Sequence, residues 1–373
     1  MRSRTRNQQD QQPQFLAIAE SYLREQVAPQ AAAIDENPEA LRVALQGLGD
    51  RALLALRTRD LPQSQENFYR FQELVARYSG ALAFLQTQHQ SAGSLLARST
   101  NDPLKQELLP HMATGKVLVG VGFSQLRRPG EPLMKATAVE GGYRLDGTVP
   151  WVTGYGFFDF FIMGATLPTG EAIYGSVPLR DMNQPSGGSL RFSEPMQLLA
   201  MGSTRTVSAR VEGWFLAGDR VVALQTRDLL QEKDRENVLH HSFFALGCAR
   251  AGISILQDVA RQKPLPFLSR AERSLDRELE DCRHLIYQAL RAQPGNFEQR
   301  LQLRARAIDL AGRCARAAVT ASSGAANLKP HPAERVYRES LMFAVSGQTP
   351  AVMEATLEQF LRDIPLASAR SHL

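Results

Sequence analysis

Two adjacent histidines, His240 and His241, are the first candidates for proton transfer, because an imidazole titrates near neutral pH. They fall in an apolar run, residues 237–259, in which the spacing of the large side chains predicts one long helix. Adjacent helical residues point about 100° apart, so at most one of the two faces a given cavity. Glu236 precedes this run, where a charge is commonly a partner of the helix dipole. A buried histidine is likewise often a hydrogen-bonded core residue.

Trp151 and Thr153 lie two residues apart in a predicted strand, where such residues face the same side. Taken alone, the two residues favour a core tryptophan with a threonine beside it. His89 lies on a predicted buried helix and has a similar interpretation, a core histidine whose ring nitrogens are hydrogen-bonded.

The sequence contains none of the short motifs that mark metalloproteases, phosphate loops, serine hydrolases or dithiol redox sites. Its three cysteines, Cys248, Cys282 and Cys314, are far apart and odd in number. We therefore predict buried thiols in a reducing compartment, and neither a disulfide framework nor a zinc site.

Length and composition predict an ordinary globular protein of two or three structural units. The chain has 373 residues, of which 43% are hydrophobic and 22% are charged, and about 150 residues per domain is typical. The net charge of +5 is too small, and the basic residues are too scattered, to favour nucleic-acid binding. No run reaches the roughly 18 apolar residues of a membrane span. Residues 1–14 have no apolar core, so we predict a disordered tail there and no secretory signal.

Hydrophobic periodicity divides the rest of the chain into helices, then strands, then helices. Residues 15–116 repeat apolar side chains every three or four positions, which predicts an N-terminal helical domain. Residues 117–222 alternate polar and apolar side chains between turn residues, which predicts an antiparallel sheet or small barrel. Residues 223–373 return to the helical pattern and predict a C-terminal helical bundle. The predicted fold class is α+β.

Several strings in this order resemble the acyl-CoA dehydrogenase family, over roughly residues 15–362. Residues 108–116 (LLPHMATGK) resemble the family's junction between helices and barrel. Residues 143–154 (YRLDGTVPWVTG) resemble the barrel hairpin that leads to a tryptophan and a threonine in contact with the flavin. Residues 201–203 and 332–339 are similar to further landmarks of the family.

The resemblance implies an N-terminal all-helical domain, a middle antiparallel β-barrel and a C-terminal four-helix bundle, assembled as a homodimer or homotetramer. It implies FAD as the cofactor and an acyl thioester, or a related small molecule, as the substrate. The implied reaction is α,β-dehydrogenation, in which a carboxylate takes the α proton while the flavin takes the β hydride. An electron-transfer partner and a cytoplasmic location are further expectations.

The resemblance also assigns residues to the cofactor. It implies that Phe123 and Ser124 help to hold the flavin, that Trp151 forms a flat wall beside the ring, and that Thr153 donates a hydrogen bond to it. Ser323 and Gly324 fall where the family often has a Gly-rich stretch near FAD.

The sequence departs from the family where the catalytic base is expected. Familiar members carry a glutamate before a Gly-Thr pair, and the matching position here is Ser346, which cannot act as that base. Other members place the glutamate on the long helix, at the position of Asn237, which leaves Glu236 one residue away. The candidate bases are therefore Glu236, His240 and His241.

Three functions stay open at this point. The first is a flavin-dependent dehydrogenase of acyl thioesters that has moved or replaced its base. The second is a flavin-dependent monooxygenase on the same scaffold, which the serine at the base position would favour. The third is a degenerate member that binds a ligand without catalysis, which the altered segments at residues 124–130 and 261–266 would favour.

Overall fold

The computed structural model describes residues 13–58, 64–292 and 295–362. The chain divides into two compact units, and it passes from one to the other between Leu230 and Gln231. The predicted tail, residues 1–14, lies outside the described residues except for Pro13 and Gln14, and Gln14 is already the first residue of a helix.

The described part of the first unit begins with helices, and side chains cap the N-termini of three of them, α3, α5 and α6. Asn37 accepts a hydrogen bond from the Glu39 amide at 2.8 Å, and Ser79 accepts one from the Leu82 amide at 3.2 Å. Each cap satisfies an amide that the helix itself leaves without a partner. The helices are α1 (Gln14–Tyr22), α2 (Ala31–Glu36), α3 (Pro38–Asp50), α4 (Ser64–Tyr78), α5 (Gly80–Ala97) and α6 (Asp102–Met112).

A nine-stranded sheet follows these helices. Its strands are β1 (Val119–Gly122), β2 (Met134–Val139), β3 (Gly142–Val152), β4 (Phe160–Thr166), β5 (Ala172–Pro178), β6 (Met182–Asn183), β7 (Ser189–Phe192), β8 (Val207–Ala217) and β9 (Val221–Gln225). Across the sheet the order is β6-β7-β8-β3-β2-β4-β5-β9, and β1 pairs with β4. The hairpin of β2 and β3 pairs Ala136 with Leu145.

The sheet is open and mixed, so the prediction of an antiparallel barrel is wrong in both respects. Among the described residues the strand order has two ends, β6 and β9. Strand β4 pairs in parallel with β1, where Val119 lies opposite Phe160, and with β2 at Lys135 and Thr166. Side-chain alternation could not reveal this, because it follows from the pleat of each strand and is the same in open, closed, parallel and antiparallel sheets.

Helices α5 and α6 pack against the sheet through an apolar core. The core side chains come from these two helices and from β1, β4, β5 and β9: Ala92, Leu96, Leu104, Leu108, Met112, Val119, Ile162, Ala172, Tyr174 and Val222. Removing this apolar surface from water is the main force that holds helices and sheet together in this unit.

His89 on α5 is a buried core histidine, as the sequence predicts. Its Nδ1 accepts a hydrogen bond from the Val119 amide at 3.0 Å, and its Nε2 lies 2.9 Å from the Met112 carbonyl oxygen. The proton of the neutral ring therefore belongs on Nε2. Burial lowers the pKa of His89 below its ordinary value, because the interior disfavours the charged imidazolium.

This histidine should make stability depend on pH. The unfolded chain protonates His89 near pH 6.5, whereas the folded chain resists protonation. The contribution of His89 to the free energy of unfolding is therefore fully present above pH 6.5 and is lost as the pH falls. We expect a slope of up to about 1.4 kcal/mol per pH unit below pH 6.5 from this group, measured by urea unfolding between pH 7 and 5. His89→Gln should lose that slope, and His111→Gln, at an exposed site on α6, should keep it. An unchanged slope in His89→Gln would contradict the assignment.

The second unit is helical throughout its described elements. Helix α7 (Arg227–Glu236) leads into it, followed by α8 (Ser242–Gln262), α9 (Pro266–Arg291), α10 (Phe297–Ser322), α11 (Pro332–Val345) and α12 (Pro350–Arg362). Helix α10 is central, since it packs against α8, α9, α11 and α12.

The predicted long helix over residues 237–259 is wrong at its start, because α8 begins at Ser242. The preceding residues form turns, in which the His240 amide donates to the Asn237 carbonyl and the Ser242 amide donates to the Leu239 carbonyl. Val238 and Leu239 are nevertheless buried. Apolar side chains in a buried turn therefore extend the helical pattern beyond the helix itself.

Within the described residues, α8 is the one helix long and apolar enough to cross a membrane, but most of it is buried inside the unit. Such burial is typical of a core helix. The prediction of buried thiols is confirmed, since Cys248, Cys282 and Cys314 are free and buried.

Candidate functional site

Trp151 is a surface residue and not a core residue, which overturns the simpler interpretation of its position. It is the second-to-last residue of β3, and it is 42% exposed. Thr153 follows the end of the strand and is 6% exposed. The pairing of β3 with β8 is irregular between Val149 and Val152, so the two side chains do not share the environment that regular alternation predicts.

The Thr153 hydroxyl belongs to a short chain of buried hydroxyl groups. Its Oγ1 lies 2.9 Å from Thr206 Oγ1, and Thr206 Oγ1 lies 3.4 Å from Thr204 Oγ1. Thr204 in turn donates to the Met201 carbonyl at 2.7 Å. These contacts fix the position of the Thr153 oxygen among buried hydroxyl groups.

Phe123 and Ser124 lie where β1 leads into a 3₁₀ turn, Ser124–Arg127. The Phe123 ring packs edge-on against Tyr174, with ring centres 5.4 Å apart, and Ser124 is exposed. The neighbouring Gln125 is buried and donates its side-chain amide to the Gly164 carbonyl at 2.7 Å. Its Oε1 is buried without a hydrogen-bond partner.

Ser323 and Gly324 lie where α10 ends and a 3₁₀ turn begins, in the second unit. Ser323 has φ 57° and ψ −144°, a conformation that is strained for a residue with a side chain. Both residues are exposed, and a Cβ added at Gly324 would meet no atom within 4 Å. Beside them, the buried Ser322 Oγ has no hydrogen-bond partner.

The residues present fit FAD. Each of the two units carries at least one small exposed residue at the positions that the resemblance assigns to the cofactor, Ser124 in the first and Ser323 and Gly324 in the second. Each also has a buried polar oxygen without a partner next to them, Gln125 Oε1 in the first and Ser322 Oγ in the second. Such orphaned atoms are costly unless a bound polar group satisfies them.

The three candidate bases lie in the second unit, outside a regular helix or at its end. Glu236 is the last residue of α7 and is exposed. His240 and His241 belong to the turn before α8 and are half-buried. The two histidines lie before the helix, so the expectation that adjacent helical residues point about 100° apart does not apply to them. Ser346, where the family's glutamate is expected, is the C-cap of α11 and is 7% exposed.

The structure brings one of these bases into direct contact with Ser346. His241 Nδ1 lies 2.9 Å from Ser346 Oγ, although the two residues are 105 positions apart in the chain. The imidazole also packs against the Phe244 ring, with centres 5.7 Å apart, and Phe244 stacks on Phe343. We call this contact of His241 with Ser346 the His-Ser pair.

Arg304 on α10 holds together the two segments that carry the His-Ser pair. Its Nη1 donates to the Val238 carbonyl at 2.9 Å, and its Nη2 donates to the Ser346 carbonyl at 2.5 Å. The residue is 1% exposed, and burial lowers the pKa of its guanidinium to about 10. The sequence pattern did not single out Arg304, although it places this charged residue on the apolar face of a predicted core helix.

Comparison with known proteins gives matches in structure only. No protein-family model matches the sequence, and no curated protein matches it. The chain superposes on butyryl-CoA dehydrogenase from Megasphaera elsdenii with a TM-score of 0.76 and 16% identity, over 97% of this chain and 100% of that chain. It superposes on glutaryl-CoA dehydrogenase from Mycobacterium smegmatis with a TM-score of 0.77 and 16% identity, over 94% of each chain. On acyl-CoA dehydrogenase from Geobacillus kaustophilus it superposes with a TM-score of 0.76 and 13% identity, over 97% of this chain and 100% of that chain.

Proposed function

Because this chain has the acyl-CoA dehydrogenase fold, we propose that it is an FAD-dependent oxidoreductase acting on the CH–CH bond of an acyl thioester. A fold by itself supports several activities. The observation that carries the proposal is the exposed indole of Trp151, followed two residues later by the fixed hydroxyl of Thr153, at the positions that resemble the family's flavin contacts.

These residues would bind and orient the cofactor ring. When bound, FAD supplies an acceptor for the hydride that leaves the β carbon. Thr153 would hydrogen-bond the ring while Thr206 fixes its hydroxyl oxygen, and Trp151 would exclude water from one side of the ring. We also infer that Phe123 and Ser124 border the flavin, and that Ser323 and Gly324 allow the backbone to approach its phosphates.

We further propose that the chain works as a homodimer or homotetramer in the cytoplasm and passes electrons to a partner protein. Exposed apolar side chains on α11 and α12 support self-association, because a monomer rarely leaves so many in one region: Leu341, Val345, Met353, Leu357 and Phe360. The three free thiols support a reducing compartment. Light scattering after size-exclusion chromatography measures the assembly.

The test of the proposed function is the visible spectrum of the purified protein, followed by anaerobic addition of thioesters. A flavin band at about one FAD per chain, bleached by a saturated acyl-CoA, is the expected result. Butyryl-CoA and glutaryl-CoA are the first probes, because two structural neighbours are named as dehydrogenases of these thioesters. No band after FAD is added would favour the non-catalytic alternative, and product that requires reduced flavin and oxygen would favour a monooxygenase.

Thr153→Val should weaken FAD binding about tenfold, because the variant loses the hydroxyl that would hydrogen-bond the flavin ring but keeps the side-chain shape. Equilibrium dialysis of FAD against the purified variant measures this. Thr148→Val changes an exposed threonine on the same strand, so its affinity should match that of the wild-type protein. Equal affinity in the Thr153 variant would show that this hydroxyl does not contact the flavin.

A further inference from the structure

We propose that Thr206 and Thr204 allow the Thr153 hydroxyl to reverse its hydrogen bond to the flavin, donating to the oxidised ring and accepting from the reduced ring. Thr206 is then a positioning residue for Thr153, and it raises the reduction potential of bound FAD. This inference rests on the proposed function, because it needs the flavin ring at Thr153.

The chain of three hydroxyl groups has one fixed end. Thr204 Oγ1 lies 2.7 Å from the Met201 carbonyl oxygen, and a carbonyl can only accept, so the Thr204 proton points at that oxygen. Either hydroxyl can be the donor between Thr153 and Thr206, 2.9 Å apart, and between Thr206 and Thr204, 3.4 Å apart. The direction of these two contacts can therefore change while the Thr204 proton stays in place.

Two arrangements of the chain give every hydroxyl proton an acceptor. In the first, Thr206 donates to Thr153, and Thr153 donates to a ligand. In the second, a ligand donates to Thr153, whose own proton points at Thr206, while the Thr206 proton points at Thr204. A hydroxyl group has one proton and two lone pairs, and it changes from one role to the other by rotation about its C–O bond. No covalent bond of the threonines breaks in this change.

Burial couples the two contacts of Thr206. Thr204 is 0% exposed and Thr206 is 1% exposed, so bulk water does not supply an alternative partner for either hydroxyl. A buried hydroxyl whose proton has no acceptor costs free energy. A change from donor to acceptor at Thr153 is therefore accompanied by rotation of the Thr206 hydroxyl.

The 3₁₀ turn that carries Thr204, Gly202–Thr204, is held from both sides. Asp35 on α2 accepts a hydrogen bond from the Met201 amide at 2.7 Å, and the Gly154 amide donates to the Thr204 carbonyl at 2.9 Å. Met201 has φ 61°, a left-handed conformation that surrounding contacts must maintain in a residue with a side chain. These contacts fix the heavy atoms of the chain, so the adjustment to a ligand falls to the hydroxyl protons.

The flavin is a ligand that needs such an adjustment. Uptake of the β hydride adds one hydrogen and two electrons to the ring, so a ring nitrogen that accepted a hydrogen bond becomes an N–H group that donates one. A side chain that can only donate, such as that of lysine, matches one of the two forms. Thr153 matches both forms, because Thr206 accepts its proton when the ring is reduced.

Binding of oxidised FAD and of dithionite-reduced FAD to the full-length protein, measured without oxygen, tests the inference. In Thr206→Val the Thr153 hydroxyl can still donate to the oxidised ring. When it accepts from the reduced ring, its own proton faces a methyl group. The Kd for reduced FAD should therefore rise about tenfold more than the Kd for oxidised FAD, which corresponds to one hydrogen bond. The reduction potential of bound FAD, measured by equilibration with a redox dye, should fall by about 30 mV, the equivalent of tenfold for two electrons.

Three further variants separate positioning from a loss of structure. Thr206→Ser keeps the hydroxyl and should keep the wild-type potential. The double variant Thr153→Val with Thr206→Val should match Thr153→Val alone in both affinities, because Thr206 acts on the ring through Thr153. Thr148→Val, at an exposed site on β3, should match the wild-type protein. A merely structural effect of Thr206→Val would weaken the binding of both forms of FAD equally and would add to the effect of Thr153→Val.

The outcomes distinguish this inference from the proposed function. Equal changes in the two affinities of Thr206→Val, and hence an unchanged potential, overturn the inference. If thioesters still bleach the FAD band in that case, the proposed function stands without it. A lower potential in Thr206→Val, in a protein whose FAD no thioester bleaches, supports the inference and removes the proposed dehydrogenation. A wild-type protein that binds neither form of FAD overturns both.

Discussion

Arg304→Met should lower the free energy of unfolding by about 3 to 4 kcal/mol. Arg304 makes charge-assisted hydrogen bonds to the Val238 and Ser346 carbonyls, and each such bond is worth about 1.5 to 3 kcal/mol. Methionine has a similar length but no donor, so both buried carbonyls would lose this partner. Relief from burying a guanidinium offsets part of the loss. Guanidinium chloride unfolding, followed by circular dichroism, measures the difference.

The matched control is Arg316→Met on the same helix. Arg316 is exposed, and a substitution at an exposed site away from special contacts usually changes stability by less than about 0.5 kcal/mol. If both variants lose the same small amount, the two carbonyl contacts of Arg304 contribute nothing measurable. The position of the His-Ser pair would then depend on packing alone.

Gly252→Ala should destabilise the protein by about 3 kcal/mol, because it separates two central helices. An added Cβ on α8 would lie 2.7 Å from the backbone C and O atoms of Cys314 on α10, and 3.0 Å from the Ala315 amide nitrogen. Backbone atoms cannot move aside as a flexible side chain does, so the helices must shift and their packing is lost. Thermal unfolding by calorimetry measures the cost.

Gly312→Ala provides the matched control for this second prediction. Gly312 lies in the middle of α10, and a Cβ there meets no atom within 4 Å. Alanine favours the helix by up to about 1 kcal/mol over glycine, so this variant should be unchanged or more stable. A Gly252→Ala protein as stable as the wild type would mean that α8 and α10 can move apart without loss.

Local sequence patterns predicted much of the fold and part of the candidate site. The order of helices, strands and helices follows from hydrophobic period, and the string at residues 143–154 pointed to Trp151 and Thr153 through its resemblance to a family. The start of α8 was misplaced, since Val238 and Leu239 are buried in a turn. The sequence also did not decide whether Trp151 is buried or exposed, because periodicity cannot distinguish a core tryptophan from one that borders a site.

The sequence by itself determined the element types, the buried thiols and the absence of a glutamate at residue 346, because each depends on residue identity and on neighbours within a few positions. Only the tertiary structure decided that the sheet is open, that His241 meets Ser346 and that Arg304 joins their two segments. These contacts link residues from 42 to 105 positions apart. They form because packing of α8, α10 and α11 brings distant backbone and side-chain groups within hydrogen-bond distance, and no local pattern encodes that approach.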